Sequence, residues 1–465
     1  MNEPTRRRAV AACAVGVGAL LAALHQGTFF FPLLADDAGT LGAVAETRDL
    51  IQERWVEEPS PEGLRDAALE GMVSELARLD PFSGYVPPSS LQAFEEHTTG
   101  QFGGLGIYLD MVQGKLTVVT PFPDTPAWSS TIQPGDVVET IDGAPAAFQT
   151  VSQAVEKLKG AAGKPVALGI LHADGRRETV ELVRAVIQRR SVKGERVLAD
   201  GVGYLHVDAF NAGTVSELDA ALGRLEQAEM RALVLDLRGN PGGYLKGAVE
   251  VADRFLPEDR VVVTTRGRGG VLEQELRTER AARVQLPVAL LVDGGTASAA
   301  EILAGALQDQ AAATVVGARS YGKGSVQSLL DLMGGKAQLK LTTQYFFTPR
   351  GRRIHRGDKP TDDPSWGITP DIEVGIDATL REELLARESQ LDVARIAARR
   401  RGEPHQGEER LQLDDPQVAA AFAHLTRVLL GEERIGHHQV IATPAPLDSN
   451  ATAAAPGSAS PTKVR

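Results

Sequence analysis

"PVALLVDGGTASAAEILAGALQDQ", residues 287–310, decides how the chain folds. Val288 to Val292 form an unbroken apolar run, which suits a strand buried on both faces. Gly294 and Gly295 then break the run. From Ala299 onward the apolar residues Ile302, Leu303, Ala306 and Leu307 recur at helical spacing. A strand that passes through a glycine turn into a helix is half of a strand–helix–strand unit. The same order appears upstream. "VGYLHVDAF" (202–210) is followed by "TVSELDAALGRLEQA" (214–228), and "ALVLDLRG" (232–239) by "LKGAVEVADRFL" (245–256). This alternation over 187–376 predicts an α/β unit with a largely parallel sheet.

The rhythm differs on either side. Residues 101–186 hold short alternating runs such as "GLGIYLDM", "KLTVVTPF" and "PVALGILHA", with one helix-like piece, "VSQAVEKLKGA". They predict a β domain. Residues 41–92 read as a helical segment: Leu41, Val44, Leu50, Ile51 and Trp55 share a face, and Pro59 and Pro61 interrupt. Residues 377–440 read as helical and charged, either an assembly surface or a solvated appendix. Residues 441–465 are rich in Ala, Pro, Ser and Thr, a composition that predicts disorder. The fold class is therefore α/β (α+β) and multidomain, with no internal repeat.

Composition narrows the function. The chain has 465 residues and a net charge of −12, which excludes the basic face of a nucleic-acid binder. Its one cysteine, Cys13, excludes an intramolecular disulfide framework and a Cys-rich metal site. Arg6 to Arg8 precede "AVAACAVGVGALLAAL" at 9–24, so residues 1–40 read as a signal peptide or membrane anchor. The apolar stretch reaches the ~20 residues of a span only when extended through Leu34. No clean A-x-A cleavage site comes after it, which favours the anchor. The positive-inside rule then puts the rest of the chain outside the cytoplasm, in a periplasm or on the outer face of an inner membrane.

"GARSYGKGS", 317–325, nearly matches a phosphate-binding loop, but Gly324 stands where that loop needs a hydroxyl. The next stretch, "SVQSLLDLMGGKAQLKLTTQYF" (325–346), reads as two extended runs joined at the glycine pair rather than as a helix. A nucleotide site is excluded on both counts. There is also no G-x-S-x-G, no H-E-x-x-H, and no histidine between His206 and His355. With no histidine near, a lysine becomes a candidate base. Ser298 sits where the turn enters the helix, beside unpaired N–H groups and the positive end of the helix dipole. Local spacing leaves two readings open. Ser298 is a nucleophile, or Thr296 or Ser298 caps the helix, with Glu301 closing a capping box.

"DLRGNPGG" (236–243), "GGTASAAEILAGALQD" (294–309) and "YGKGSVQ" (321–327), with "YFFTPRGRRI" and "GITPDIEV", resemble the carboxyl-terminal processing peptidases, the tail-specific proteases of serine peptidase family S41. "TGQFGGLGIYL" and "IQPGDVVETIDG" resemble the PDZ domain that precedes this family's catalytic core. The resemblance spans 41–376 and implies a PDZ domain at 93–186 and a protease core at 187–376. It implies a serine-type endopeptidase with Ser298 as nucleophile, Lys323 as base and Gln327 orienting the lysine. The oxyanion donors would be the backbone N–H groups of Gly243 and Ala299. From the residues alone, Asp236 and Arg238 read as a pair that braces this Gly-rich loop, so no catalytic role falls on their side chains. Gly104, Leu105, Gly106 and Ile107, in "GGLGI", would form the nest that captures a peptide's terminal carboxylate.

No metal or other cofactor is implied. The expected partners are proteins or peptides with free C-termini, the membrane through the N-terminal segment, and a second copy of the chain in a homodimer or higher oligomer; an adaptor protein is also compatible. The competing function is a catalytically silent PDZ scaffold, against which the intact Ser298, Lys323 and Gln327 speak.

Overall fold

A computed structural model describes residues 34–435 except 77–78, 362, 364 and 403–413. Most of the signal-or-anchor segment (1–33) and the Ala/Pro-rich tail (441–465) lie outside the described residues. Among the described residues no helix is long and apolar enough to cross a membrane. The chain divides into two units, 1–87 with 330–340, and 88–329 with 341–465.

In the first unit, α1 (Leu34–Arg54) and α2 (Pro61–Ser74) are separated at the two prolines. Pro61 suits the first helical position, where its missing N–H costs no bond, and the Ser60 hydroxyl caps the helix by accepting from Gly63 N at 3.1 Å. Strand β1 (Gly84–Val86) pairs with Gln338–Lys340, and Tyr85 ties it to α2 through Asp66 at 2.9 Å. Leu41, Val44, Trp55, Met72 and Leu79 stay exposed in this helical segment.

The second unit opens with α3 (Leu91–Thr99) and β2 (Gln101–Gly104), which pairs with β9 (Ala185–Gln188). Between them β3 (Ile107–Val112), β4 (Lys115–Pro121), β5 (Val137–Ile141), β6 (Ala144–Pro145), β7 (Pro165–Leu171) and β8 (Arg177–Val183) form an antiparallel sheet. Its inward residues, among them Leu116, Val118, Val166, Leu168 and Ile170, share a core with α4 (Val151–Leu158). The alternating runs of the sequence are the two faces of this sheet.

The rest of the unit is the α/β fold that the alternation predicted. Six strands lie in the order β10 (Val192–Val197), β11 (Val202–Val207), β12 (Ala232–Asp236), β15 (Val288–Val292), β16 (Thr314–Gly317), β19 (Ile372–Glu373). All neighbours are parallel except the β10 edge. Leu205, Leu233, Leu235, Leu290 and Val315 face α5 (Thr214–Gln227), α6 (Leu245–Ala252) and α7 (Ala299–Asp309). Tyr204, Val234, Leu291 and Val316 face the other way. Both faces are covered, which is why these strands are apolar throughout.

The second face is covered by α9 (Pro416–Leu429), whose Val418, Ala421 and Leu425 are buried against the sheet. This part of the charged 377–440 region is thus core. Its i, i+3, i+7 apolar spacing is hidden by the polar residues on either side. α8 (Ala378–Arg401) precedes it. A second sheet contains β13 (Val261–Arg266), β14 (Leu272–Arg277), β17 (Ser325–Leu332) and β18 (Ala337–Phe347); β17 and β18 are the two extended runs expected after Lys323.

Candidate active site

The turn after β15 is fixed by buried polar groups. Asp293 Oδ1 accepts from Gly295 N at 2.8 Å and from Gly239 N at 2.9 Å. Thr296 Oγ1 donates to Leu237 O at 2.9 Å, and Ala297 N donates to Asn240 O at 2.9 Å. The turn is thereby fastened to the loop after β12. Ser298 comes next, with φ +55° and ψ −118°, immediately before α7. A serine in this region costs on the order of 1–3 kcal/mol and persists only where its surroundings fix it.

The 236–243 loop is the second wall. Asn240 is fully buried; its side chain bonds Val207 O and Gly242 N, each at 2.8 Å. Gly242, at φ +99°, touches the turn that carries Ser298. A Cβ there would lie 2.8 Å from Ser298 Cβ and 2.9 Å from Ala299 N. Phe210 N donates to Gly242 O at 2.8 Å, and Tyr244 N donates to Phe210 O at 2.9 Å. These flanking bonds turn Gly243's own N–H away from Phe210. Among the described residues, no hydrogen bond takes up the Gly243 or Ala299 N–H. Asp236 and Arg238 do brace the loop. Both are buried, and Arg238 also reaches Asp415 at 2.8 Å and Gln417 at 3.0 Å. Burial pushes the Asp236 carboxyl up, but the Arg238 and His206 charges prevail and hold it at about 2.

Lys323 lies on the third wall. Its Nζ donates to Gln327 Oε1 at 2.7 Å; Gln327 Nε2 in turn donates to Thr342 Oγ1 at 2.9 Å and Ser325 Oγ at 3.0 Å. The glycines on either side are required by close approach. A Cβ at Gly322 would lie 2.9 Å from Trp366, and one at Gly324 only 2.5 Å from His355 N.

One carboxylate joins this wall to Ser298. Glu301 is fully buried, and its Oε2 accepts from both Ser298 N and Lys323 N at 2.8 Å. Its Oε1 accepts from Gly322 N at 2.7 Å and Ser320 Oγ at 2.5 Å. Burial raises the carboxyl's pKa, and these four bonds oppose the shift. Tyr321 N adds a bond to Thr296 O at 2.9 Å. The sequence pattern gave Glu301 a capping role only. Its bond to Ser298 was visible in the local spacing, whereas those to residues 320–323 were not.

The structure thus gathers Ser298, Ala299, Gly243 and the backbone of Lys323. It places Gly104, Leu105, Gly106 and Ile107 elsewhere, at the start of the antiparallel sheet. Leu105 is buried there, and Gly106, at φ +74°, lies too close to Thr125 for a side chain. Among the described residues, no hydrogen bond takes up the Leu105 or Gly106 N–H. A cavity of about 280 Å³ bordered by Arg189, Lys193, Asp208 and Arg238 is lined by neither Ser298 nor Lys323, and Asp208 pairs there with both Arg189 and Lys193. No group of three or more His, Cys, Asp or Glu side chains among the described residues is placed to hold a metal.

The pattern of peptidase family S41 matches residues 201–374. A carboxy-terminal-processing protease of Bartonella bacilliformis is 37% identical over 351 residues, 72% of this chain and 77% of that protein. A carboxy-terminal processing protease of Bacillus subtilis is 33% identical over 322 residues, 68% of this chain and 66% of that one. A solved photosystem II D1 C-terminal processing protease covers 76% of this chain at 24% identity, with a TM-score of 0.42. The first of these relatives, taken with the family match over the α/β fold, establishes that the chain belongs to peptidase family S41, and that it is a serine-type endopeptidase of the carboxy-terminal processing group.

Proposed function

We propose that this chain cleaves proteins with a Ser298–Lys323 dyad after capturing their free C-termini at residues 104–107. The observation that carries the reading is the single oxygen, Glu301 Oε2, that binds the backbones of both residues. Neutral Lys323 takes the proton from Ser298 Oγ as that oxygen attacks the scissile carbonyl carbon. The resulting oxyanion is met by the Gly243 and Ala299 N–H groups, whose free donors support this role. Collapse breaks the C–N bond, and Lys323 delivers its proton to the leaving amine. Water then releases the acyl group from Ser298, with Lys323 again moving the proton. Gln327, an uncharged partner, orients the amine without adding a negative charge that would hold it as ammonium.

The unoccupied N–H groups of Leu105 and Gly106 support the carboxylate nest, with β3 as the edge along which a peptide would extend. The basic and apolar N-terminus supports an extracytoplasmic location with the chain held at a membrane. The exposed apolar residues of α1 and α2 support self-association. The test is cleavage of an unfolded protein ending in apolar residues, with free or amidated C-terminus. The intact chain cleaves the free form faster, and Ser298→Ala and Lys323→Ala abolish cleavage while remaining folded. Equal cleavage of both forms refutes the C-terminal capture, and an active Lys323→Ala refutes the dyad.

A further inference from the structure

We infer that Glu301 is a positioning residue of the reaction, one that sets Ser298 and Lys323 in register beyond its service as a helix cap. The inference rests on the Ser298–Lys323 dyad. A capping carboxylate needs only the bond to the Ser298 N–H. Glu301 makes three more, all to residues 320–323, and it is fully buried while doing so. Its two oxygens divide the work. Oε2 holds the two dyad backbones, and Oε1 holds Ser320 and Gly322, just ahead of the lysine. The Ser320 hydroxyl is itself oriented, since it accepts from Ile368 N at 2.7 Å.

Two features make the register sensitive to this group. Ser298 sits at φ +55°, where nothing intrinsic to serine holds it. Fixing its N–H fixes the peptide plane about which φ turns. The lysine loop, 318–324, has no helix or strand of its own. It stays attached without Glu301 through Ser320 N to Ile368 O (3.1 Å), Tyr321 N to Thr296 O (2.9 Å) and Arg356 N to Gly322 O (2.9 Å). Loss of Glu301 therefore loosens the placement of Lys323 while these anchors hold the loop in the fold. Glutamine substitutes only in part. Its oxygen can serve one pair of donors, but its amide then points an N–H at one or more backbone N–H groups of the other pair, which cannot accept it.

The experiment measures kcat and KM of the full chain on an unfolded protein with a free apolar C-terminus. Misplacement of reacting groups by an ångström costs on the order of 100-fold, so Glu301→Gln is expected to lower kcat by about that factor with KM unchanged. Ser320→Ala removes one of the four donors and is expected to lower kcat by about 3- to 10-fold, again at constant KM. Residues acting as a unit are non-additive. In a Lys323→Ala background, Glu301→Gln should therefore add less than about threefold to the loss of Ser298 phosphonylation by a fluorophosphonate.

The inference is overturned if Glu301→Gln keeps its kcat, if KM rises instead, or if the double variant loses the full product of both effects. Should Glu301→Gln fail to fold, an unchanged kcat in Ser320→Ala overturns it. An active Lys323→Ala points instead to failure of the dyad. A silent Lys323→Ala beside a fully active Glu301→Gln sinks only the role of Glu301.

Discussion

Adding one methyl group at Gly242 should displace Ser298, the proposed nucleophile, without altering that side chain. The new Cβ would stand 2.8 Å from Ala297 O, 2.8 Å from Ser298 Cβ and 2.9 Å from Ala299 N. Carbon atoms rest at about 3.5–4.0 Å, so the turn must retreat by about 0.7 Å or more. None of these neighbours is the free end of a flexible side chain. The φ of +99° adds a backbone cost of about 1–2 kcal/mol for any residue with a Cβ. A retreat of this size lies close to the ångström that costs about 100-fold in rate. Gly242→Ala is therefore expected to lower kcat by about 30- to 100-fold with KM nearly constant, and to lower the unfolding temperature. The control is Gly294→Ala in the same turn, where no atom lies within 4 Å and φ is ordinary. It should leave both kcat and unfolding temperature unchanged. The assay is steady-state cleavage beside thermal unfolding of the same preparations. A Gly242→Ala enzyme with unchanged kcat, or a Gly294→Ala enzyme damaged equally, would refute the proposed effect of this packing on Ser298.

Three further outcomes are expected. Gln327→Ala removes the partner of Lys323 Nζ and should lower kcat by about 10- to 100-fold, whereas Gln327→Glu favours the ammonium form and should move the acid limb of kcat/KM to higher pH. Arg238→Met leaves Asp236 and Asp415 buried without their shared cation and should destabilise the chain by about 3–5 kcal/mol in denaturant titration. Asp236 is held at about 2 in the folded chain, below its usual 3.8. Its stabilisation is therefore present above pH ~4 and lost as pH falls through about 2, amounting to about 2 kcal/mol. Denaturant titrations between those pH values should show the loss, and Arg238→Met should abolish it.

The parts of the fold legible in the sequence were those carried by side-chain periodicity. Val288 to Val292 and Ala232 to Leu235 announced a doubly covered sheet because both faces of each strand had to be apolar. The glycine pair at 334–335 marked the β17–β18 hairpin. The helix α9 was obscured because its apolar stripe is short and flanked by charge, and only the packing of Val418, Ala421 and Leu425 shows that it closes the core. In the site, Ser298, Lys323 and Gln327 were readable as side chains in motifs. The connections of Glu301 to residues 320–323 were not, since two of these three donors are backbone N–H groups that leave no mark on residue identity. Gly242 is a similar case. The resemblance named Gly243 as the donor, but nothing in the residues told that Gly242 is the glycine packed against Ser298.

The most direct measurement is the rate at which a fluorophosphonate labels the full chain, with the modified residue located by mass spectrometry. Labelling joins phosphorus to the serine oxygen and expels fluoride, and it needs a base to take the hydroxyl proton. A Ser298–Lys323 dyad predicts a single adduct on Ser298, none in Ser298→Ala, and a rate in folded Lys323→Ala lower by about 10²- to 10⁴-fold. An adduct on another residue, or labelling of Lys323→Ala at the rate of the intact chain, would contradict it.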